Sequence, residues 1–188
     1  MKLVVIDCSS SKVPEIIKIL EKLDCQVKCI NFEYANNHEF SQFDAMVISG
    51  GPRLFTDQGQ IEALTHCFEF INHVSCPILG ICLGHQALGL ASDAEVYRDT
   101  ERRQSEIIDV THRHPLVKQM GESFEMSTDH CEGITLPADY QLIAKSNFYP
   151  VEVMANDKLK RFGVQFHPEV SGTAGEQIFK NFLQLVNA

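Results

Sequence analysis

The stretch Pro77-Ile78-Leu79-Gly80-Ile81-Cys82-Leu83-Gly84-His85-Gln86 limits the fold of this 188-residue chain more than any other. Pro77–Cys82 is a short apolar run that reads as a strand, and a helix is expected from about His85, which leaves no room for a loop. A strand running straight into a helix must turn sharply at the residue between them. Gly80 and Gly84 stand two positions either side of Cys82, where side chains would crowd such a turn. Cys82 is therefore expected in a strained backbone conformation, its thiol projecting from the carboxyl end of a strand. It also sits at a helix N-terminus, whose partial positive charge favours thiolate. The first amide of that helix, Leu83 N–H, can face an oxyanion. Taken alone, Gly-x-Cys-x-Gly fits a small buried cysteine as well as a nucleophile.

The first half of the chain alternates apolar runs with helical patterns. Leu3–Asp7, Val27–Phe32 and Ala45–Ser49 read as strands; Val13–Leu23, with Ser11 as N-cap and Pro14 in its first turn, and Gln60–Ile71 read as helices. Alternation with short connections implies an α/β fold with a largely parallel central sheet flanked by helices. The second half changes style. Glu95–Arg98, Ser105–Val110, Phe124–Ser127, Tyr140–Lys145, Val151–Met154 and Phe162–His167 are short strand candidates, punctuated by Gly133, Pro137 and Asn156-Asp157. Glu176–Val186 reads as a closing amphipathic helix. An added β-rich portion is expected within one domain spanning residues 1–188.

The net charge of −9 argues against nucleic acid or an anionic membrane as partner, since both reward clustered Lys and Arg. No apolar run approaches the ~20 residues that cross a bilayer, and Asp7 interrupts the opening run where a secretory leader would have to continue. The seven cysteines (8, 25, 29, 67, 76, 82 and 131) are odd in number and lack CxxC spacing, so no zinc site is expected. Reduced, mostly buried thiols and a cytoplasmic location fit better.

A base for the thiol is supplied by Phe162-Gly163-Val164-Gln165-Phe166-His167-Pro168-Glu169. In an extended segment residues two apart share a side, so His167 and Glu169 are expected on one face, with Pro168 restricting the backbone between them. A carboxylate on one imidazole nitrogen fixes the tautomer and leaves the other nitrogen to exchange protons with a thiol. Ile48-Ser49-Gly50-Gly51-Pro52 closes another strand; its glycines leave their amides unshielded, making Gly51 N–H the second oxyanion donor beside Leu83. Gly-Gly-Pro is also an ordinary turn.

Together Ile48–Pro52, Pro77–Gln86 and Gly163–Val170 resemble, in the right order, the three signatures of the class I, triad-type glutamine amidotransferases. ISGGP and the valine after His-Pro-Glu are most similar to the glutaminase part of GMP synthase, as separately encoded in archaea. The resemblance implies Cys82 as nucleophile, His167 as acid/base, Glu169 as its orienter, Gly51 and Leu83 as oxyanion amides, and Gln86, Gly50 and Ser127 around the substrate glutamine. It implies no metal and no cofactor on this chain; ATP and Mg belong to an ATP-dependent synthase partner, such as the ATP-pyrophosphatase subunit of GMP synthase, which takes the ammonia. Three segments depart from that branch: Asp7-Cys8-Ser9-Ser10-Ser11-Lys12, Ala91–Ala94 and Ser127-Thr128-Asp129-His130. They leave open a stand-alone hydrolase of γ-glutamyl amides or peptides, or the glutaminase subunit of another amidotransferase. A non-enzymatic oxidant sensor on a related fold would have no use for His167 and Glu169.

Of the remaining features, His66 and His73 are expected on one helix face in solvent. Thr111–Pro115 is expected as an exposed turn, and Glu101-Arg102-Arg103 as a solvated cluster or a partner contact. Asp129-His130-Cys131 does not make a second triad, since neighbours in a strand point to opposite faces.

Overall fold

The computed structural model describes residues 1–187. Its elements are β1 (Lys2–Asp7), α1 (Val13–Lys22), β2 (Gln26–Asn31), β3 (Ala45–Ile48), α2 (Ile61–His66), β4 (Ile78–Ile81), α3 (Leu83–Leu90), β5 (Val96–Arg102), β6 (Ser105–Val110), β7 (Ser123–Ser127), β8 (His130–Ile134), β9 (Gln141–Lys145), β10 (Val153–Asn156), β11 (Arg161–Val164) and α4 (Gly172–Val186). The main sheet runs β2-β1-β3-β4-β11-β10-β9-β6-β7, and β5 pairs with β8 in a separate ribbon. From β2 to β11 every pairing is parallel; from β11 to β7 every pairing is antiparallel. The expected parallel sheet with an added β-rich portion is thus a single mixed sheet plus a ribbon.

Residues 3–6 of β1 show why the central parallel strands β1, β3 and β4, unlike the exposed edge strand β2, carry apolar runs rather than alternating. Leu3 and Val5 enter one core with Ile16 and Leu20 of α1 and Ile178, Phe179 and Phe182 of α4. Val4 and Ile6 enter the other, with Phe32, Leu64, Phe68 and Leu88. Both faces are covered, so both sets of side chains must be apolar. The Phe162 and Phe182 rings meet edge-on at 6.0 Å, a geometry worth about 0.5–1.5 kcal/mol beyond the area buried.

Several local expectations differ from the structure. Ser11 does not cap α1; the hydroxyl of Ser10 accepts the Lys12 N–H at 3.1 Å. The helix expected over 60–71 breaks after His66, because Asn36 inserts into it. The Asn36 amide donates to His66 O at 2.7 Å and accepts from Phe70 N at 2.9 Å, replacing the helical bond between those two groups. His66 and His73 therefore share no helix face. α4 starts four residues early, at Gly172. His114 is buried within the expected exposed turn: Nε2 lies 3.0 Å from Asp157 Oδ1, and Nδ1 accepts Leu116 N–H at 3.1 Å. Arg102 is likewise withdrawn from solvent, its Nε donating to Glu106 at 2.7 Å and its guanidinium 3.5 Å from the centre of the Phe148 ring. Of the seven thiols, all free, only Cys8, Cys25 and Cys82 are buried.

Candidate active site

Sheet register brings the three signatures together. Ile48 of β3 and Gly80 of β4 are partners, as are Val164 of β11 and Ile81 of β4. Gly50 therefore stands level with Cys82, each two residues further on, and His167 follows from the neighbouring strand on the other side. The Cys82 amide donates to Val164 O at 2.9 Å, closing the seam. This crevice lies at the carboxyl ends of the parallel strands, and β1 beside it is where strand order reverses.

The elbow has the expected strain. Cys82 adopts φ 49° and ψ −103°, outside the ordinary regions for a side-chain-bearing residue, and α3 begins at the next residue. A Cβ on Gly80 would lie 2.4 Å from Gly84 O, and one on Gly84 would lie 2.4 Å from Ile48 O, so both glycines are required by close approach. A Cβ on Gly50 would meet His167 Cε1 at 2.8 Å and Cys82 Cβ at 3.4 Å, which fixes how tightly the three loops converge. The amides of Gly51 and Leu83 have no backbone partner among the described residues.

His167 and Glu169 meet, though not by strand alternation. β11 ends at Val164, and Pro168–Val170 forms a 3-10 turn that folds the carboxylate back so that Glu169 Oε1 lies 2.7 Å from His167 Nδ1. The turn is tied from both sides. His167 N donates to Ser127 O at 2.8 Å, and Ser171 Oγ donates to His167 O at 2.6 Å while accepting Ser127 N–H at 3.0 Å. Burial alone would depress the imidazole pKa; hydrogen bonding and charge from Cys82 and Glu169 outweigh it and raise the value to about 10. An imidazolium between two acidic groups is the consequence. All three side chains are buried: Cys82 is 5 %, His167 3 % and Glu169 5 % exposed.

A cleft of about 390 Å³ reaches His167, with Gly51, Ser10, Lys12, Arg103 and Asp129 also in its lining. Asp129 bridges its mouth. Its carboxylate takes Lys12 Nζ at 2.7 Å and Arg103 Nε at 3.3 Å, and its carbonyl lies 4.0 Å from Cys82 Sγ. The Lys12 hydrogen bond, opposed by partial burial, holds the Asp129 carboxyl below its ordinary range. Sequence reasoning missed this lip because Lys12 and Asp129 are 117 residues apart.

Two residues assigned to glutamine by resemblance have hydrogen-bond partners within the chain. Gln86 is buried beneath the cleft, its amide donating to Glu132 O at 3.2 Å and Gln165 Oε1 at 3.3 Å. Ser127 holds the His167 turn through its backbone, and its hydroxyl points to Val170 O at 3.4 Å on the outside. Glu132, also unforeseen, accepts Phe55 N at 3.1 Å and Thr56 N at 2.6 Å. Among the described residues no group of three or more His, Cys, Asp or Glu is arranged to hold a metal ion, and no helix is long and apolar enough to cross a membrane.

The family model described as Glutamine amidotransferase class-I fits residues 4–185. The glutamine-hydrolyzing GMP synthase subunit of Pyrococcus furiosus is 31 % identical across 97 % of both chains. Its namesake from Methanosarcina barkeri is 32 % identical over 76 % of this chain and 73 % of its own. The crystal structure of a Thermoplasma acidophilum protein described as a GMP synthase subunit superposes with a TM-score of 0.90 at 25 % identity, covering 100 % of this chain and 94 % of that one. This chain belongs to the class-I glutamine amidotransferase family.

Proposed function

We propose that this chain is the glutaminase subunit of a two-subunit GMP synthase, releasing ammonia from glutamine for an ATP-dependent partner that converts XMP to GMP. The observation that carries the chemistry is the buried Glu169–His167 pair converging on an elbow cysteine, 2.7 Å separating carboxylate and imidazole. The Cys82 thiolate attacks the side-chain amide carbon of glutamine, and the carbonyl electron pair moves onto oxygen opposite the Gly51 and Leu83 amides. Collapse expels the amide nitrogen, which takes the His167 proton and leaves as ammonia, giving a glutamyl thioester. Neutral His167 then removes a proton from water; the hydroxide adds to the thioester, and collapse restores the thiolate and frees glutamate. Relatives of 31–32 % identity that carry this subunit's name support the choice of acceptor. The chain acts as one domain in the cytoplasm, needs no cofactor or metal itself, and leaves ATP and Mg to the ATP-pyrophosphatase partner.

Mixing the purified chain with the GMP-forming synthetase, ATP and XMP tests this reading. Glutamate release is expected to rise and glutamine is expected to support GMP formation, both lost in Cys82→Ala. Glutaminase activity without any response to that partner would refute the GMP assignment; none under any condition would refute the chemistry. The second reading, a free-standing γ-glutamyl hydrolase, draws on a cleft that extends beyond the triad to Ser10 and Arg103. It requires turnover of γ-glutamyl peptides by the isolated chain.

A further inference from the structure

Glu132 presents a carboxylate with nothing conventional to neutralise it. The residue is 0 % exposed, and no cationic side chain pairs with it among the described residues. Its charge is met instead by two backbone amides, Phe55 N at 3.1 Å and Thr56 N at 2.6 Å. Burying an ion is costly unless such charge-assisted bonds satisfy it, so the geometry of these amides and the position of Glu132 are tightly coupled. Phe55 is itself buried and packs on Phe68 at 5.9 Å, which seats this end of the loop in the core.

The segment so held begins at the catalytic seam. Residues 49–56 leave β3 at Ile48 and pass through Gly50 and Gly51, so one end is fixed by the sheet and the other by Glu132. Between them lies a Gly–Gly peptide, which no Cβ restrains from rotating about its neighbours. Ser49 Oγ donates to the carbonyl of that peptide, Gly50 O, at 2.8 Å, so the facing of the Gly51 N–H depends on this local bond together with the two anchors, of which Glu132 holds the far end. The Glu132 carbonyl accepts from Gln86 of α3, one helical turn beyond Cys82, at 3.2 Å. One residue thus connects the helix behind the nucleophile with the loop opposite it.

We propose that Glu132 is a positioning residue for the oxyanion side of the site: its carboxylate holds the loop whose Gly51 amide receives the developing negative charge. This rests on the glutaminase reading above. The test uses the full chain with its synthase partner and the variants Glu132→Gln and Glu132→Asp. In Glu132→Gln one amide bond is replaced by an opposed N–H pair, and hydrogen–deuterium exchange across 50–58 is expected to quicken. Glutamine kcat is expected to fall about 10- to 100-fold with KM within about threefold. Alkylation of Cys82 by iodoacetamide, a displacement that builds no oxyanion, is expected to keep its wild-type rate. Glu132→Asp retains the charge and is expected to lie between the two; it carries all three readouts if Glu132→Gln does not fold. Unchanged exchange, unchanged kcat, or kcat and alkylation falling together would each overturn the proposal. A wild-type chain inert toward glutamine would refute the glutaminase reading instead, while exchange would still report whether Glu132 holds the loop.

Discussion

Replacing Gly175 with alanine sets two physical effects against each other at the base of the site. Gly175 lies in the first turn of α4, with an ordinary negative φ, and helix propensity alone favours alanine there by about 1 kcal/mol. The added methyl, however, would sit 1.8 Å from Pro168 O and 2.7 Å from Pro168 C. Restoring an ordinary carbon–oxygen separation of about 3.3 Å requires α4 and the 168–170 turn to part by roughly 1.5 Å. Backbone atoms on both sides leave no flexible side chain to yield. Overpacking of this kind costs about 1–3 kcal/mol, which outweighs the propensity gain. The displaced turn carries His167 on one side of Pro168 and Glu169 on the other, and a misplacement of about 1 Å costs reacting groups about 100-fold in rate. Gly175→Ala is therefore expected to lose about 100-fold in glutamine kcat and to unfold a few degrees earlier, at ~2–4 °C per kcal/mol for a chain of this size. Steady-state ammonia release and thermal unfolding by circular dichroism measure the two. Gly172→Ala is the control: its φ of +62° makes alanine strained, yet nothing lies within 4 Å, so stability is expected to drop while kcat holds. A Gly175→Ala protein with raised Tm and intact kcat would show that propensity governs this turn and that the contact does not position the base.

Gly50→Ala places a methyl 2.8 Å from His167 Cε1; glutaminase activity is expected to fall at least about 100-fold with the far-ultraviolet spectrum retained. Glu152 has its carboxyl pKa raised to about 7, by burial first, against the Ser146 hydrogen bond and with help from Glu106. A raised pKa means stability fully present below the unfolded value near 4.5 and lost by about 7. Urea unfolding of Glu152→Gln should thus show a stability advantage over wild type that grows from pH 4.5 to 7, and a constant difference would refute it. His167 is likewise raised, from 6.5 to about 10, so what its protonated form contributes is complete below 6.5 and disappears as pH approaches 10. Because Glu169 supports that protonation, the stability gap between wild type and Glu169→Gln is expected to narrow across this window in the same unfolding assay.

What the sequence discloses about this site is what local strain requires. Gly80 and Gly84 are glycines because neighbouring backbone occupies the space of their side chains, so the elbow can be read without any partner in view. The covered strands likewise announce themselves, since Leu3–Ile6 must satisfy two cores. Interactions set by distant chain leave no such trace. Asn36 substitutes for a helical bond thirty residues away, and nothing in the 60–71 pattern signals the break. Lys12 and Asp129 carry no spacing that links them, and Glu132 looks like any acid in a polar loop. His167 and Glu169 illustrate a third case: residue types and separation were sufficient to pair them, but the pairing depends on a 3-10 turn rather than on an extended strand. The turn follows from Pro168 and from Ser127 and Ser171, which fasten it at both ends, and only the second constraint is tertiary.

That division bears on why the β-rich half exists. The nucleophile, the base and the Gly50–Gly51 loop all come from ends of parallel strands, and the register of β3, β4 and β11 is enough to bring them side by side. Proximity is not orientation, however, and catalysis by these groups depends on both. The orienting contacts come from the other half: Ser127 O at the end of β7 holds His167 N, the Asp129 carbonyl roofs Cys82, and Glu132 of β8 holds the loop at Phe55 and Thr56. β7 and β8 are consecutive, so a single two-residue connection, Thr128-Asp129, links all three controls. A displacement of that connection by a docked synthase would reach the base, the mouth of the cleft and the oxyanion loop at once. Coupling between subunits then needs no motion of the parallel sheet, whose buried strands are the least able to move.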